Sequence, residues 1–277
     1  DRKGVVASIS QGLVDLDANI LENAEFLAER DRSSGETGHT FCMRTRFDLQ
    51  AFDSSEVEQA LADRVETLGA TVDIRREDNP KRALLMVSKY DHCLVDLLYR
   101  RHSGELSLDI PLVVSNHPDL RDVAIRNGTD FEHVPVSKET KPAAEARLME
   151  LVERHDIDFV VLARYMQILS DDLCSKLDGR AINIHHSFLP GFKGAKPYHQ
   201  AWERGVKLIG ATAHYVTADL DEGPIIGQDV APVSHRDTAE QMVVKGRDIE
   251  RLVLSQAVKA EAEDRIFRIG ERTVVFD

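Results

Sequence analysis

Short apolar runs alternate with helical patterns over the larger, second part of this chain. Four runs have the length of buried strands and lie at Ala83–Ser88, Ile110–Val114, Phe159–Ala163 and Ala181–Ile184. Apolar residues recur with helical spacing at His92–His102, Thr140–His155 and Thr238–Ala262. Thr140 is expected to cap its helix, with Pro142 in the first turn. This alternation predicts an α/β fold with a parallel, doubly wound, Rossmann-like sheet.

The first part of the chain has a different pattern. It predicts a helix, two strands, a second helix and a last short strand, at Gly4–Asp17, Asn19–Ala28, Thr37–Leu49, Glu56–Leu68 and Ala70–Arg75. The order α-β-β-α-β is that of a ferredoxin-like α+β unit whose first strand would lie before Asp1. The polar stretch Arg75–Arg82 contains Pro80 and is interpreted as a linker. We therefore expect two domains, residues 1–78 and 81–277.

The overall charge narrows the possible functions. The chain has 48 acidic and 35 basic residues, a formal net charge of −13, which argues against nucleic acid as a partner. No apolar run reaches the length of a membrane span. Three widely spaced cysteines, Cys42, Cys93 and Cys174, favour reduced thiols in a cytoplasmic protein. The histidine spacings match no zinc motif, so we expect no metal.

Candidate chemistry centres on the run that ends in Asn183-Ile184-His185. Side chains alternate along a strand, so Asn183 and His185 share one face at the carboxyl end, where doubly wound sheets bind ligands. An amide and a protonated imidazole could both donate hydrogen bonds to the oxyanion formed when a carbonyl carbon is attacked. Asp221, beside the Gly223-Pro224 turn, could stabilise the imidazolium and take a proton from the nucleophile.

Two spaced motifs carry a family resemblance. Asn183, His185, Ser187, Leu189 and Pro190 match N-x-H-x-S-x-L-P, and the second motif is formed by His214, Asp221, Gly223 and Ile225. Together they resemble the folate-dependent formyltransferases over roughly residues 81–277. The resemblance implies catalytic roles for Asn183, His185 and Asp221. His214 is interpreted either as a buried structural residue or as support for the catalytic loop.

The resemblance also implies where the folate binds. The segment after the third strand would form part of the pterin pocket, with Met166, Ile168 and Leu169 as substrate-binding residues. The loop that contains Thr217 and Asp219 would close the other side. Folate is then the substrate, and no cofactor is expected.

The loop after the first strand of the second domain helps to distinguish formyl transfer from hydrolysis. In glycinamide ribonucleotide formyltransferases a glycine-rich loop cradles the phosphate of the acceptor, whereas this chain has Ser88-Lys89-Tyr90-Asp91-His92 without glycine. The segment resembles the deformylase branch of the family. That implies a hydrolase that cleaves a linear carbon–nitrogen amide bond, converting 10-formyltetrahydrofolate to tetrahydrofolate and formate, which supplies formate for purine synthesis and balances the one-carbon folate pools. The alternatives are formyl transfer to a small amine acceptor and a folate-binding regulator without turnover.

Residues 1–78 resemble an ACT domain, a small regulatory module that often binds amino acids. Asp1–Val6, Gly12 and Ala18–Ile20 carry this resemblance. It implies either an amino-acid effector site or a dimerisation module without a ligand. We expect a homo-oligomer, a dimer or a tetramer.

Overall fold

The computed structural model describes residues 3–29, 38–49, 54–191 and 197–277. These form two compact units, residues 1–80 with 276–277 and residues 81–275. The helices are α1 (Val5–Asp15), α2 (Ser54–Leu68), α3 (His92–Ser103), α4 (Arg121–Arg126), α5 (Lys141–Arg154), α6 (Asp171–Lys176), α7 (Pro197–Glu203) and α8 (Ala239–Ala262). The strands are β1 (Asn19–Glu29), β2 (His39–Asp48), β3 (Arg82–Val87), β4 (Asp109–Ser115), β5 (Asp130–His133), β6 (Phe159–Leu162), β7 (Ala181–His185), β8 (Leu208–Tyr215), β9 (Ile225–Pro232), β10 (Ile266–Ile269) and β11 (Arg272–Val275).

The first unit packs α1 and α2 together beside an antiparallel β1–β2 pair. Gly12 permits the close approach of the helices, because a Cβ there would meet Leu61 Cδ2 at 2.5 Å. The buried core contains Leu13, Leu16, Val57 and Leu61. The predicted helices and first two strands are confirmed, although Thr37, like Asp1, lies outside the described residues.

The predicted strand Ala70–Arg75 is wrong, because this segment has no regular secondary structure. It has no ladder partner among the described strands, and without one the backbone gains no sheet hydrogen bonds. Ile74 nevertheless packs on the core of the unit, while Val72 remains 43% exposed. The alternating pattern therefore reflects side-chain packing without strand pairing.

The second unit is built on a seven-stranded sheet in the order β5-β4-β3-β6-β7-β8-β9. The five strands from β5 to β7 are parallel, as expected. The expectation of a wholly parallel sheet is wrong, since β8 runs antiparallel to β7 and β9 antiparallel to β8. The short loop between β8 and β9 explains the second reversal, because a parallel pair needs a long crossover. The α/β class is confirmed, with a mixed central sheet.

The apolar strands are covered on both faces, which explains why they are continuous apolar runs in the sequence. Along β3, Leu85 and Val87 belong to one core cluster while Leu84 and Met86 belong to the cluster on the opposite face. All four residues of β6 are buried in the same way. This double packing fixes the carboxyl ends of β3, β6 and β7 next to one another.

Helix ends agree only in part with the sequence signals. Thr238 caps α8 in a capping box with Gln241. Thr140 occupies the N-cap position of α5, but its side chain makes no capping bond. Its Oγ1 instead accepts a hydrogen bond from the Ser137 backbone N–H at 2.8 Å. None of the helices within the described ranges has both the length and the apolar character that a membrane span requires.

Candidate active site

Strand β7 and its antiparallel neighbour β8 bring three polar side chains to one face of the sheet. Ile182 and Ile184 point into the core, and Asn183 and His185 point to the other face. The register pairs Asn183 with His214 across the strands. Asn183 Nδ2 therefore lies 3.2 Å from His214 Nε2. The pairing explains why His214 belongs to this site despite a position far along the chain.

The loop after β8 adds the carboxylate. Asp221 adopts a left-handed backbone conformation with φ 58°. Gly223 allows the loop to fold back onto β8, because a Cβ there would lie 1.8 Å from the Tyr215 carbonyl oxygen. Asp221 Oδ2 consequently lies 3.1 Å from His185 Nδ1, and Oδ1 lies 3.8 Å from His214 Nε2.

The hydrogen bonds define the proton positions. The Tyr215 carbonyl can only accept, so His214 Nδ1 donates to it at 2.8 Å. In the neutral imidazole, His214 Nε2 then accepts from the Asn183 amide. His185 donates from Nδ1 to Asp221, and its own Nε2 is buried without a hydrogen-bond partner among the described residues. That nitrogen can interact with a ligand.

The electrostatics favour an ionised Asp221. Burial raises the pKa of its carboxyl group, but the hydrogen bond from His185 and the proximity of His214 outweigh burial and hold the pKa well below its usual range. A carboxylate with such a low pKa stabilises a neighbouring imidazolium well and accepts a proton poorly. The ion-pair role expected for Asp221 is therefore better supported than the role of general base.

The expected folate-binding residues form two separate groups. Ile168 and Leu169 line a pocket with Met86, Val114, Val134, Val136, Lys141, Ala144, Glu145, Leu148, Tyr165, Gln167 and Leu173. Met166 is half exposed, and its backbone N–H donates to Ser88 Oγ at 2.9 Å. Thr217 Oγ1 donates to the Asp219 carbonyl at 3.0 Å. No described contact joins Thr217 and Asp219 to the Met166–Leu169 segment.

Comparison with known proteins agrees with this arrangement. Residues 81–258 match the formyl transferase family. A formyltetrahydrofolate deformylase from Corynebacterium sp. (strain P-1) is 47% identical over 98% of this chain and 93% of its own length. A crystal structure of a formyltetrahydrofolate deformylase from Pseudomonas syringae pv. tomato has a TM-score of 0.93 and 47% identity, covering 100% of this chain and 91% of that one. The chain belongs to the formyltetrahydrofolate deformylases. The resemblance of residues 81–277 to the formyltransferases, and to their deformylase branch, is confirmed.

The deformylases match the whole chain, whereas transferases match only part of it. The structure of glycinamide ribonucleotide transformylase 1 from Symbiobacterium toebii has a TM-score of 0.68 and 30% identity, and covers 76% of this chain and 99% of its own. The sheet is thus common to both groups of proteins. The additional match over the first unit favours the deformylases.

A second group of buried polar residues was missed from the sequence. Arg164 follows β6, Tyr198 lies on α7, and Glu250 lies on α8, all of them buried. A charged residue directly after the apolar run Phe159–Ala163 was one available signal, and a glutamate beside Ile249 on the apolar face of α8 was another. Neither signal indicates the partner of the charge.

Glu250 also lies close to two further residues of types that bind metal ions. Ligand atoms of His92, Cys93 and Glu250 lie within 4.8 Å of one another. However, Arg164 Nε lies 3.3 Å from Glu250 Oε2, so a cation there would meet a guanidinium. Burial also raises the pKa of Cys93 well above its usual value, which opposes the thiolate form that binds metals. The group is therefore better described as a protein-only charge cluster.

Proposed function

We propose that this protein hydrolyses 10-formyltetrahydrofolate to tetrahydrofolate and formate. The observation that carries the proposal is the His185–Asp221 pair at the carboxyl end of β7, with His185 Nε2 left without a partner among the described residues. The deformylase relatives match the chain over essentially its full length. The full-length match also favours hydrolysis over formyl transfer.

In the proposed reaction, water attacks the formyl carbon and the carbonyl electron pair moves to oxygen. Asn183 has two amide N–H groups, of which one faces His214 and the other is available to the oxyanion. His185, held as imidazolium by Asp221, donates from Nε2 to the same oxygen. Collapse then breaks the bond from carbon to N10. A proton from the attacking water passes to N10 as this bond breaks, and formate leaves with release of the remaining proton.

Met166, Ile168, Leu169, Thr217 and Asp219 are proposed to bind the folate. The Met166 segment is held in place by Ser88, whose Oγ accepts from the Met166 N–H and donates to Asn116 Oδ1 at 2.7 Å. Ser88 is itself buried at the end of β3. The strand ends therefore fix the backbone beside the proposed pterin pocket.

The decisive experiment measures formate released from 10-formyltetrahydrofolate with and without an added amine such as glycinamide. Hydrolysis predicts equal release in both reactions and no formylated amine. Formate that appears only with the amine absent, or formylated amine in proportion to enzyme, would contradict the proposal. Dialysis against a chelator should leave the rate unchanged, because no metal or other cofactor is proposed.

We further propose that residues 1–78 form an ACT-like module that mediates self-association and could bind an amino-acid effector. The β1–β2 pair leaves Leu21, Phe26 and Leu27 at least 43% exposed, and a two-stranded sheet is rarely stable alone. Light scattering should show a dimer or tetramer, and Leu21→Glu with Leu27→Glu should shift it towards monomer. A wild-type monomer at micromolar concentration would contradict self-association.

We also propose a cytoplasmic location, with which the three free cysteines agree.

A further inference from the structure

A buried carboxylate outside the proposed reaction centre organises a second charge cluster. Glu250 is 1% exposed, in the middle of α8. Its Oε1 accepts from the Tyr198 hydroxyl at 2.8 Å. Its Oε2 lies 2.8 Å from His92 Nε2 and 3.3 Å from Arg164 Nε. One carboxylate thus connects α8 with α7, with the start of α3 and with the segment after β6.

The local sequence builds this cluster at particular positions. Gly246 lies one helical turn before Glu250, on the same side of α8. A Cβ at Gly246 would lie 2.1 Å from Tyr198 Cζ, so glycine leaves room for the tyrosine ring over the helix. Arg164 adopts φ 66°, and its guanidinium lies 5.3 Å above the Tyr90 ring. The guanidinium is therefore held from two sides, by a carboxylate and by an aromatic face.

Stability alone is a weak reason to keep such a cluster. Removing two charges from water costs more than most buried ion pairs return, and apolar replacements are often at least as stable. Arg164 is 9% exposed, and its Nε and Nη1 make no aligned hydrogen bond within the described chain. A buried cation with unsatisfied donors needs another explanation.

The cluster lies next to the reaction centre through His186. The rings of His185 and His186 are 5.1 Å apart between centroids, and His186 lies 6.3 Å from the Tyr198 ring. Burial first, and the Arg164 charge second, lower the pKa of His186 to about 3. His186 is therefore neutral near pH 7, and Arg164 is a permanent positive charge that acts on this end of β7.

We propose that Glu250 is a positioning residue, which holds the Arg164 guanidinium as a fixed positive charge beside the His185 end of β7. This inference rests on the hydrolysis proposed above. Hydrolysis creates negative charge twice at this place, first on the tetrahedral intermediate and then on formate. A cation fixed in a poorly solvated site favours both species without reorganising during the reaction. Glu250 prevents the long arginine side chain from turning towards solvent.

The test uses Glu250→Gln, Arg164→Gln and the double variant of the full-length chain. Each single variant leaves one buried charge without its partner, so unfolding midpoints should fall in both and recover in the double variant. Catalysis should not recover. We expect kcat to be reduced at least about tenfold in all three, with KM for 10-formyltetrahydrofolate within about twofold of wild type. Asp248→Asn, an exposed site on the same helix, is the matched control and should retain wild-type kcat and KM.

The outcomes separate a catalytic contribution from a structural one. Wild-type kcat in the double variant would show that the pair only supports the fold, and would overturn the proposal. An increase in KM with unchanged kcat would also overturn it. If the single variants do not fold, the double variant and Tyr198→Phe distinguish the catalytic contribution from the structural one. Tyr198→Phe keeps both charges and should retain kcat within about threefold; a tenfold loss would assign the effect to the hydroxyl instead. The wild-type rate tests the proposed function separately, because this inference concerns only ratios to that rate.

Discussion

Asp221 and Glu250 are two carboxylates of the same unit, the first partly buried and the second fully buried, and they lie on different kinds of element. Asp221 lies on a loop with left-handed backbone geometry, and Glu250 lies in the middle of a long helix. Burial raises the pKa of each, and the neighbouring partners outweigh it: His185 and His214 for Asp221, and chiefly His92 and Arg164 for Glu250. Both are therefore anionic at neutral pH.

The difference lies in what the partners do next. The histidine bound to Asp221 has a second nitrogen that no described residue satisfies, so it can act on a substrate. The tyrosine bound to Glu250 donates a hydrogen bond from its hydroxyl group to the carboxylate and packs against Gly246. We therefore propose different roles for the two carboxylates: Asp221 prepares a reacting group, and Glu250 fixes the position of its surroundings.

The sharpest test of this contrast is Asp221→Asn, which preserves size and removes the charge. Without the carboxylate, His185 loses the group that stabilises its imidazolium, and we expect turnover to fall by about a thousandfold or more. Tetrahydrofolate affinity, measured by fluorescence titration, should be retained. Glu222→Gln changes the neighbouring acid and should leave turnover within about twofold. Persistent activity of Asp221→Asn across neutral pH would remove Asp221 from the mechanism.

Asn183→Ala tests the other oxyanion donor. Removal of one such donor typically lowers kcat by about a hundredfold to a thousandfold. The Ile182 and Ile184 side chains that anchor β7 in the core are unaffected, so the fold should be retained. Steady-state kinetics with formate detection measures the effect. Wild-type turnover in this variant would show that the amide does not contact the oxyanion.

Sequence reasoning identified the first cluster because its signals are local. Asn183 and His185 are separated by one residue on a strand, and the Gly223-Pro224 turn marks the loop of Asp221. The apolar elements were predicted for a similar reason. Strands β3 and β6 are continuous apolar runs, and α8 repeats apolar residues with helical spacing. Strand β9 was not predicted, because it includes Gly227 and Asp229 and is exposed on one side.

The second cluster could not be found in the same way. Arg164 and Glu250 are far apart in the chain, and their contact depends on how α8 packs against the sheet. A single charge in an apolar segment does not identify its partner. The antiparallel direction of β8 was missed on similar grounds, because strand direction depends on connections that local periodicity does not reveal.

His186 lies between the two clusters and predicts how stability depends on pH. The charged and titratable groups that act on it are Arg164, Glu250, His185 and Asp221. Its pKa is about 3 in the folded protein, against 6.5 for an unperturbed histidine, so the unfolded chain binds the additional proton as pH falls below 6.5. The free energy of unfolding should therefore decrease as pH falls from about 6.5 to about 3, by at most about 1.4 kcal/mol per pH unit from this residue.

Urea unfolding at pH 7 and pH 5 measures this slope, and His186→Asn should reduce it. The comparison stops at pH 5 because Asp221 and Glu250 add to the slope at lower pH: their lowered pKa values give stability that is lost as pH falls below about 4.5. An unchanged slope in His186→Asn would show that His186 is not the group that is protonated on unfolding.

The smallest expected effect comes from Gly246→Ala, which alters the second cluster without removing a charge. Alanine is preferred over glycine within a helix by about 1 kcal/mol. At this position the new methyl group would lie 2.1 Å from the ring of the buried Tyr198, and overpacking of this kind costs about 1–3 kcal/mol. We therefore expect a net loss of stability of up to about 2 kcal/mol, together with a modest decrease in kcat as the tyrosine shifts away from Glu250. Val244→Ala, an exposed site on the same helix, should change stability by less than about 0.5 kcal/mol. A stabilised Gly246→Ala would show that Tyr198 can move freely, and that the contact between α7 and α8 does not fix Glu250.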